Sequence, residues 1–272
     1  MTRHLTNVLL LSLVILLASN LLLNGVTPAQ LGITKTPYIH GQKWRVHDMQ
    51  RPQPKVVDPA NRQEAVPPPP DALVLFNGEN LDQFRNKEMH IENGAMIMGK
   101  GGQETIESFG DIQLHVEWST PNPPQAEGQN RGNSGIQFMG LYEIQVLDSY
   151  QNPTYADGQA GALYGQHPPM VNASKPPGQW QTYDIFFRAP RFKEDKSLKS
   201  PAYVTVVHNG VLVQLHHPYL GPSRWRANTE YQHHAEKLPL SLQWHRSEVR
   251  YRNIWVRPLD EYNAIDATSQ KH

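Results

Sequence analysis

The sequence predicts an all-β protein, a β-sandwich or jelly roll, and three observations carry that expectation. Proline and glycine are abundant, at 23 and 19 of 272 residues, and both punctuate turns rather than fill helices. Aromatic and β-branched residues gather into short runs where apolar and polar side chains alternate, which is the period of a half-buried strand. Beyond an N-terminal leader, no stretch has the three-and-four spacing of an amphipathic helix.

Residues 1–29 read as a signal peptide: Arg3 and His4 lead a nearly continuous apolar run over residues 8–23, and Thr27-Pro28-Ala29 supplies small residues for cleavage. The alternative is a retained membrane anchor, for which a run diluted by Ser12, Ser19 and Asn20 is marginal. Either reading predicts a secreted or periplasmic protein. The absence of cysteine excludes disulfides, thiolate metal sites and a cysteine nucleophile. Lys plus Arg equal Asp plus Glu at 25 each, so no nucleic-acid partner and no membrane contact beyond the leader is expected. The oligomeric state is not indicated.

Residues 30–70 carry Pro37, Pro52, Pro54, Pro59 and the run Pro67 to Pro70 without a sustained period. Proline lacks a backbone donor and fixes φ, so this segment reads as an extended arm ending in a stiff spacer. The folded domain is expected over residues 71–260, with a frayed tail at 261–272. It opens on the strand Ala72 to Phe76, followed by a hairpin turning at Asn93-Gly94. Asp111 to Ser119 alternates, with Ile112, Leu114, Val116 and Trp118 inward and Gln113, His115 and Glu117 on a polar face. Residues 151–179 read as a long ordered loop, with Tyr155, Tyr164 and His167 forming a wall. Residues 191–200 read as a charged surface loop. Tyr203 to Val213 is a hairpin around Asn209-Gly210, and residues 215–232 a loop. Leu238 to His245 and Val249 to Val256 are the last strands, the former turning Ser241, Gln243 and His245 to one face.

Between them lies RGNSGIQFMGLYEIQVLDSY, residues 131–150, two alternating runs around Met139-Gly140-Leu141. Successive strand side chains point to opposite faces. Ile136, Phe138, Tyr142, Ile144 and Val146 therefore make one apolar face, and Arg131, Asn133, Gly135, Gln137, Glu143 and Gln145 the other. A face of amides with one arginine and one carboxylate suits a polar ligand.

Four pieces, Leu75-Phe76-Asn77-Gly78-Glu79-Asn80-Leu81, Arg131-Gly132-Asn133-Ser134-Gly135-Ile136, Glu143-Ile144-Gln145-Val146 and Tyr251-Arg252-Asn253-Ile254-Trp255, together resemble the 3-keto-disaccharide hydrolase domain family of mostly secreted bacterial proteins. The resemblance implies a concanavalin A-like jelly roll of two curved antiparallel sheets, with the ligand on the concave one. It also implies a carbohydrate partner, a glycoside oxidised at C3. Glu143-x-Gln145-x-x-Asp148 is similar to the E-x-D-x-x-E of laminarinase-type enzymes. However, residues five apart on a strand span roughly 16 Å, whereas a retaining pair of carboxyl groups stands about 5 Å apart. The spacing argues against a conventional double displacement.

A C3 ketone acidifies the C2 proton, so that one base near C2 and one electrophile at the C3 oxygen suffice for elimination of the C1 substituent, with water adding afterwards. The expected catalytic residues are Glu143 as base or metal ligand, His245 as its partner and Arg131 holding the enolate or a sugar oxygen. Asn133, Gln137, Gln145, Tyr164 and Gln243 would bind sugar hydroxyls. The cofactor stays open: none, or a divalent metal ion liganded by Glu143 and His245. Plainer readings stand beside these, namely an Arg131–Glu143 structural ion pair, Asp148 as a turn cap, and aromatic residues serving only the core. Two other classes compete for the whole protein. One is a lectin-like binding module using the same face, and the other is a structural envelope protein with no pocket.

Overall fold

A computed structural model describes residues 35–59 and 65–259; the leader and the C-terminal tail lie outside them. The chain is all-β, a jelly-roll sandwich of two antiparallel sheets. Among the described residues sixteen strands follow in order: β1 (Lys55–Val56), β2 (Leu73–Phe76), β3 (His90–Glu92), β4 (Ala95–Ile97), β5 (Gln103–Phe109), β6 (Ile112–Ser119), β7 (Ser134–Phe138), β8 (Tyr142–Val146), β9 (Val171–Asn172), β10 (Gln181–Arg188), β11 (Arg191–Phe192), β12 (Leu198–Ser200), β13 (Tyr203–His208), β14 (Val211–Pro218), β15 (Leu238–Leu242) and β16 (Arg250–Pro258). The large sheet runs β14-β13-β10-β6-β16-β4-β3, with β2 added on β16, and the small sheet runs β5-β15-β7-β8.

The core forms where the two apolar faces meet. Ile136, Phe138, Tyr142, Ile144, Val146, Leu240 and Leu242 of the small sheet are buried against Leu114, Val116, Trp118, Tyr183, Ile185 and Phe187 of the large one. Phe138 stacks on Phe187 at 4.5 Å between ring centroids. Two hydroxyl hydrogen bonds link the sheets through the core: Tyr183 donates to the Gln145 carbonyl at 2.8 Å, and Ser134 Oγ meets Tyr251 Oη at 2.8 Å. With this face committed inward, the other face of β7 and β8 is turned away from the core.

Several expectations are corrected. β5 is an addition to the expected strands: its run QETIESF holds only Ile106 and Phe109 as apolar residues, three apart, so no alternation marks it; it is an edge strand whose pairing with β15 shifts register between Pro239 and Ser241. β14 continues to Pro218, and residues 191–200 contain the small β11-β12 pair rather than only loop. His115 and Glu117, expected on an open polar face, are buried. The His115 ring stacks on Trp255, its Nδ1 lies 2.7 Å from Asp184 Oδ1, and Glu117 accepts from Arg252 Nε at 2.6 Å and Asn253 Nδ2 at 2.9 Å. Such charges tolerate burial only as a paired network. The segment ahead of the domain is not an extended arm over residues 35–59. Ile39, Val46, His47 and Arg51 are buried, and β1 pairs in parallel with β9.

Candidate active site

The face of the β7-β8 hairpin turned away from the core and the chain leaving β15 border a cavity of about 1010 Å³. Cross-strand register sets its floor: Gln137 lies opposite Glu143, and Gly135 opposite Gln145. β15 pairs with β7 at Leu242–Ile136, and the Gln243 amide nitrogen then donates to the Gly135 carbonyl at 2.9 Å. These pairings bring Gln243 beside Glu143. Gly135 is where only glycine fits, because a Cβ there would lie 2.6 Å from Glu143 Oε1 and 2.7 Å from Gln243 Oε1. The glycine of the RGNSGI run is therefore the gap into which the site's carboxylate and amide fold.

Glu143 is 5 % exposed. Burial raises its pKa to about 7, against the opposing effect of hydrogen bonds from Gln243 and Gln137. A carboxyl group poised near neutrality can both take and return a proton at physiological pH. Gln243 Nε2 donates to Glu143 Oε2 at 3.0 Å, and Gln243 Oε1 lies 2.7 Å from His245 Nε2. In this arrangement His245 donates through Nε2, and burial lowers its pKa. The neutral ring therefore keeps Nδ1 as an acceptor. Three groups form a line, carboxylate, amide and imidazole.

Most of the expected residues meet here. Glu143, His245, Gln137, Gln145, Asn133, Gln243 and Tyr164 all line the cavity. Asn133 Oδ1 accepts from Gln145 Nε2 at 3.1 Å and Asn133 Nδ2 donates to the Gln129 carbonyl. The buried Gln145 Oε1 has no protein partner, which leaves an acceptor for a ligand hydroxyl.

Arg131 is the exception. Its Nη2 donates to Asp148 Oδ1 at 3.0 Å and to the Tyr150 carbonyl, and Nε lies 3.0 Å from Asp148 Oδ2. It is absent from the cavity lining. The chain turns after β8, and Asp148, which also accepts from the Tyr150 amide at 3.2 Å, captures the guanidinium. Arg131 thus neither reaches the cavity nor pairs with Glu143. Gln243 stands between Glu143 and His245 and hydrogen-bonds both, and among the described residues no group of three or more His, Asp or Glu converges.

Further residues line the cavity. Ser223 Oγ accepts from the Glu143 backbone amide at 3.0 Å, and Trp225, 63 % exposed, and Trp244 add aromatic surface. Trp225 is a candidate for sugar stacking from its residue type alone, whereas Ser223 lies in a loop without period and nothing local in the sequence marks it. Tyr155 and Tyr164 form the wall expected of residues 151–179, their hydroxyls 3.2 Å apart. A second cavity of about 690 Å³ adjoins the first across Gln137, Gln243, Trp244 and His245, and is lined further on by Arg85, Asn86 and Glu104.

The family model of the 3-keto-alpha-glucoside-1,2-lyase-like domain matches residues 71–257. The chain belongs to that family. Within the 3-keto-alpha-glucoside-1,2-lyase-like family, it is similar to a solved protein from Parabacteroides distasonis provisionally described as a glycosyl hydrolase. Identity is 40 %, the match covers 74 % of this chain and 95 % of that one, and the TM-score is 0.68. A second solved protein from the same organism, with the same provisional description, is 19 % identical over 70 % of this chain and 94 % of its own, with a TM-score of 0.50; that likeness concerns the fold. No curated protein matches the chain. The family match ends at residue 257 and so takes in all of the carboxylate–amide–imidazole line, while residues 35–59 stand outside it.

Proposed function

We propose that this protein cleaves 3-keto glycosides by removing the C2 proton with Glu143. At the coarser level it is a carbohydrate-acting enzyme of glycoside-hydrolase type; the 3-keto substrate and the elimination route are the proposal. The observation that carries it is one buried carboxylate with a pKa near 7 on a cavity floor otherwise made of amides. A conventional glycosidase uses two carboxyl groups flanking the scissile bond. Among the residues lining this cavity, Glu143 is the single carboxylate. A ketone at C3 removes the need for the second.

In the proposed reaction, Glu143 takes the proton from C2 and the C–H electron pair forms a C2–C3 enolate with its charge on the C3 oxygen. Return of that pair makes a C1–C2 double bond and expels the oxygen on C1, which regains a proton from Glu143. Water then adds its hydroxyl to C1 and its proton to C2, so the sum is hydrolysis. Gln243 steadies the Glu143 carboxylate by hydrogen bonding and aligns it. His245 keeps the Gln243 amide oriented, with its nitrogen towards Glu143. Trp225 offers a face for a sugar ring, and the adjoining cavity gives the leaving group a place. A lectin-like module would rest on a shallow platform without a buried, poised carboxylate. The leader-like residues 1–29 fit an enzyme that meets its substrate outside the cytoplasm.

The test is release of free sugar from a 3-keto disaccharide by wild type and Glu143→Gln, with and without chelator. Turnover by wild type and none by the variant, at unchanged melting temperature, supports the assignment. Equal rates sink it.

A further inference from the structure

With Arg131 held by Asp148, the proposed reaction lacks the group that receives charge at the C3 oxygen. The cavity wall contains a pair of phenols. Tyr155 and Tyr164 both line the cavity and stand with hydroxyls 3.2 Å apart. One hydroxyl can donate to the other, which leaves one O–H to point into the cavity. Burial raises both phenol pKa values, and the nearby Glu143 charge adds to the effect. Both therefore remain protonated donors at any pH at which Glu143 is a base.

What fixes the pair comes from outside the family domain. His47 is fully buried, with its ring centroid 4.1 Å from that of Tyr155 and 5.0 Å from that of Tyr164. Its backbone N–H donates to Asp157 Oδ2 at 2.9 Å, and its Nδ1 lies 3.6 Å from the same oxygen. Its Nε2 accepts from the Arg226 amide at 3.5 Å, next to the cavity residue Trp225. Residue 47 adopts φ +61, a conformation that a residue other than glycine rarely takes without compensating contacts. Gly158 lets Tyr155 lie flat on its own turn, since a Cβ there would meet the ring at 2.2 Å. The segment carrying His47 is tied down on either side: Gln42 Nε2 and Arg51 Nη1 donate to the Gln166 carbonyl at 3.2 and 3.3 Å, and β1 pairs with β9.

We infer that the Tyr155–Tyr164 pair is the hydrogen-bond donor site for the C3 oxygen, and that His47, from the segment ahead of the family domain, is the positioning residue that holds it. The inference rests on the 3-keto glycoside reading. Donors aimed at a developing oxyanion act through the transition state, so their loss falls on kcat rather than KM. The experiment compares wild type with Glu143→Gln, Tyr155→Phe, Tyr164→Phe, His47→Ala and His47→Phe on one 3-keto disaccharide. It measures kcat and KM separately, together with melting temperature. At least one tyrosine variant is expected to lose about 100-fold in kcat with KM changed only a few-fold. His47→Ala is expected to lose roughly 10-fold to 100-fold in kcat through misplacement of the pair, and His47→Phe, which keeps a ring in the stack, to regain most of it. Wild-type kcat in both tyrosine variants, or a His47→Ala variant that only melts earlier, overturns the inference while an inactive Glu143→Gln leaves the functional reading standing. A wild type that releases no sugar, or a Glu143→Gln variant as active as wild type, overturns both.

Discussion

At the scale of single residues, the site is governed by which polar group has a partner. Glu143 is held near neutrality by the balance of burial against donors, so removing a donor has a predictable sign. Gln243 favours the charged form; in Gln243→Leu the Glu143 pKa rises further. The acid limb of kcat/KM, expected near pH 7 in wild type, should therefore move to higher pH, and a pH–rate profile reads it directly. Arg131 and Asp148 obey a different logic. They are 13 % and 2 % exposed at the side chain, and deleting one partner strands the other. Asp148 or Arg131 truncation should cost about 3 kcal/mol of stability, read by urea denaturation, while kcat of the folded fraction stays close to wild type. A loss of kcat without loss of stability would return Arg131 to the chemistry.

At the scale of elements, the β7-β8 hairpin and the strand face beside it were legible, and the contacts beyond the strand ends were not. Parity alone put Gln137, Glu143 and Gln145 on one face and Ile136, Ile144 and Val146 on the other, because strand side chains alternate without exception in a regular ladder. The same rule brought Gln243 and His245 to that face, although they lie just past the end of β15. Parity fails where the strand ends. Arg131 precedes β7 and its partner Asp148 follows β8, where the regular ladder has ended and one backbone bond, Asp148 N–H to the Arg131 carbonyl at 3.2 Å, remains. His47 is separated from Asp157 by 110 positions, and nothing local in a proline-rich stretch foretells such a contact. The element-scale prediction concerns Gly135. Gly135→Ala places a methyl against Glu143 and Gln243, so kcat should fall by at least about 10-fold, with the fold retained by circular dichroism. An unaffected kcat would mean that the two side chains need not meet.

At the scale of the whole molecule, the sandwich keeps its two polar faces for different purposes. The small sheet exposes amides and one carboxylate to a cavity, whereas the large sheet buries a charged network behind the core. There, burial alone would lower the His115 pKa, but hydrogen bonds to Asp184 and Glu117 raise it to about 9; Glu117, also buried, is brought down to about 2 by His115, Asn253 and Arg252. The signs follow by linkage. The His115 contribution is complete below its unfolded value of 6.5 and is lost as pH rises through about 9. The Glu117 contribution is complete above 4.5 and is lost as pH falls through about 2. Stability should therefore decline between pH 6.5 and 9, and Asp184→Asn, which lowers the folded His115 pKa, should make that decline smaller and end it at lower pH, as urea midpoints across the range would record. The fold class itself was readable from composition and alternation. The dependence of the cavity wall on residues ahead of the domain was not, since it arises from tertiary contacts that a local pattern does not encode.

The central claim is that Glu143 breaks the C2–H bond, and isotopic substitution at that position tests it most directly. The measurement is kcat/KM for a 3-keto disaccharide carrying deuterium at C2 against the same substrate carrying hydrogen. The account predicts a clearly slower reaction of the deuterated substrate with wild type and no turnover of either by Glu143→Gln. A wild-type rate that ignores the isotope, with sugar still released, would contradict it.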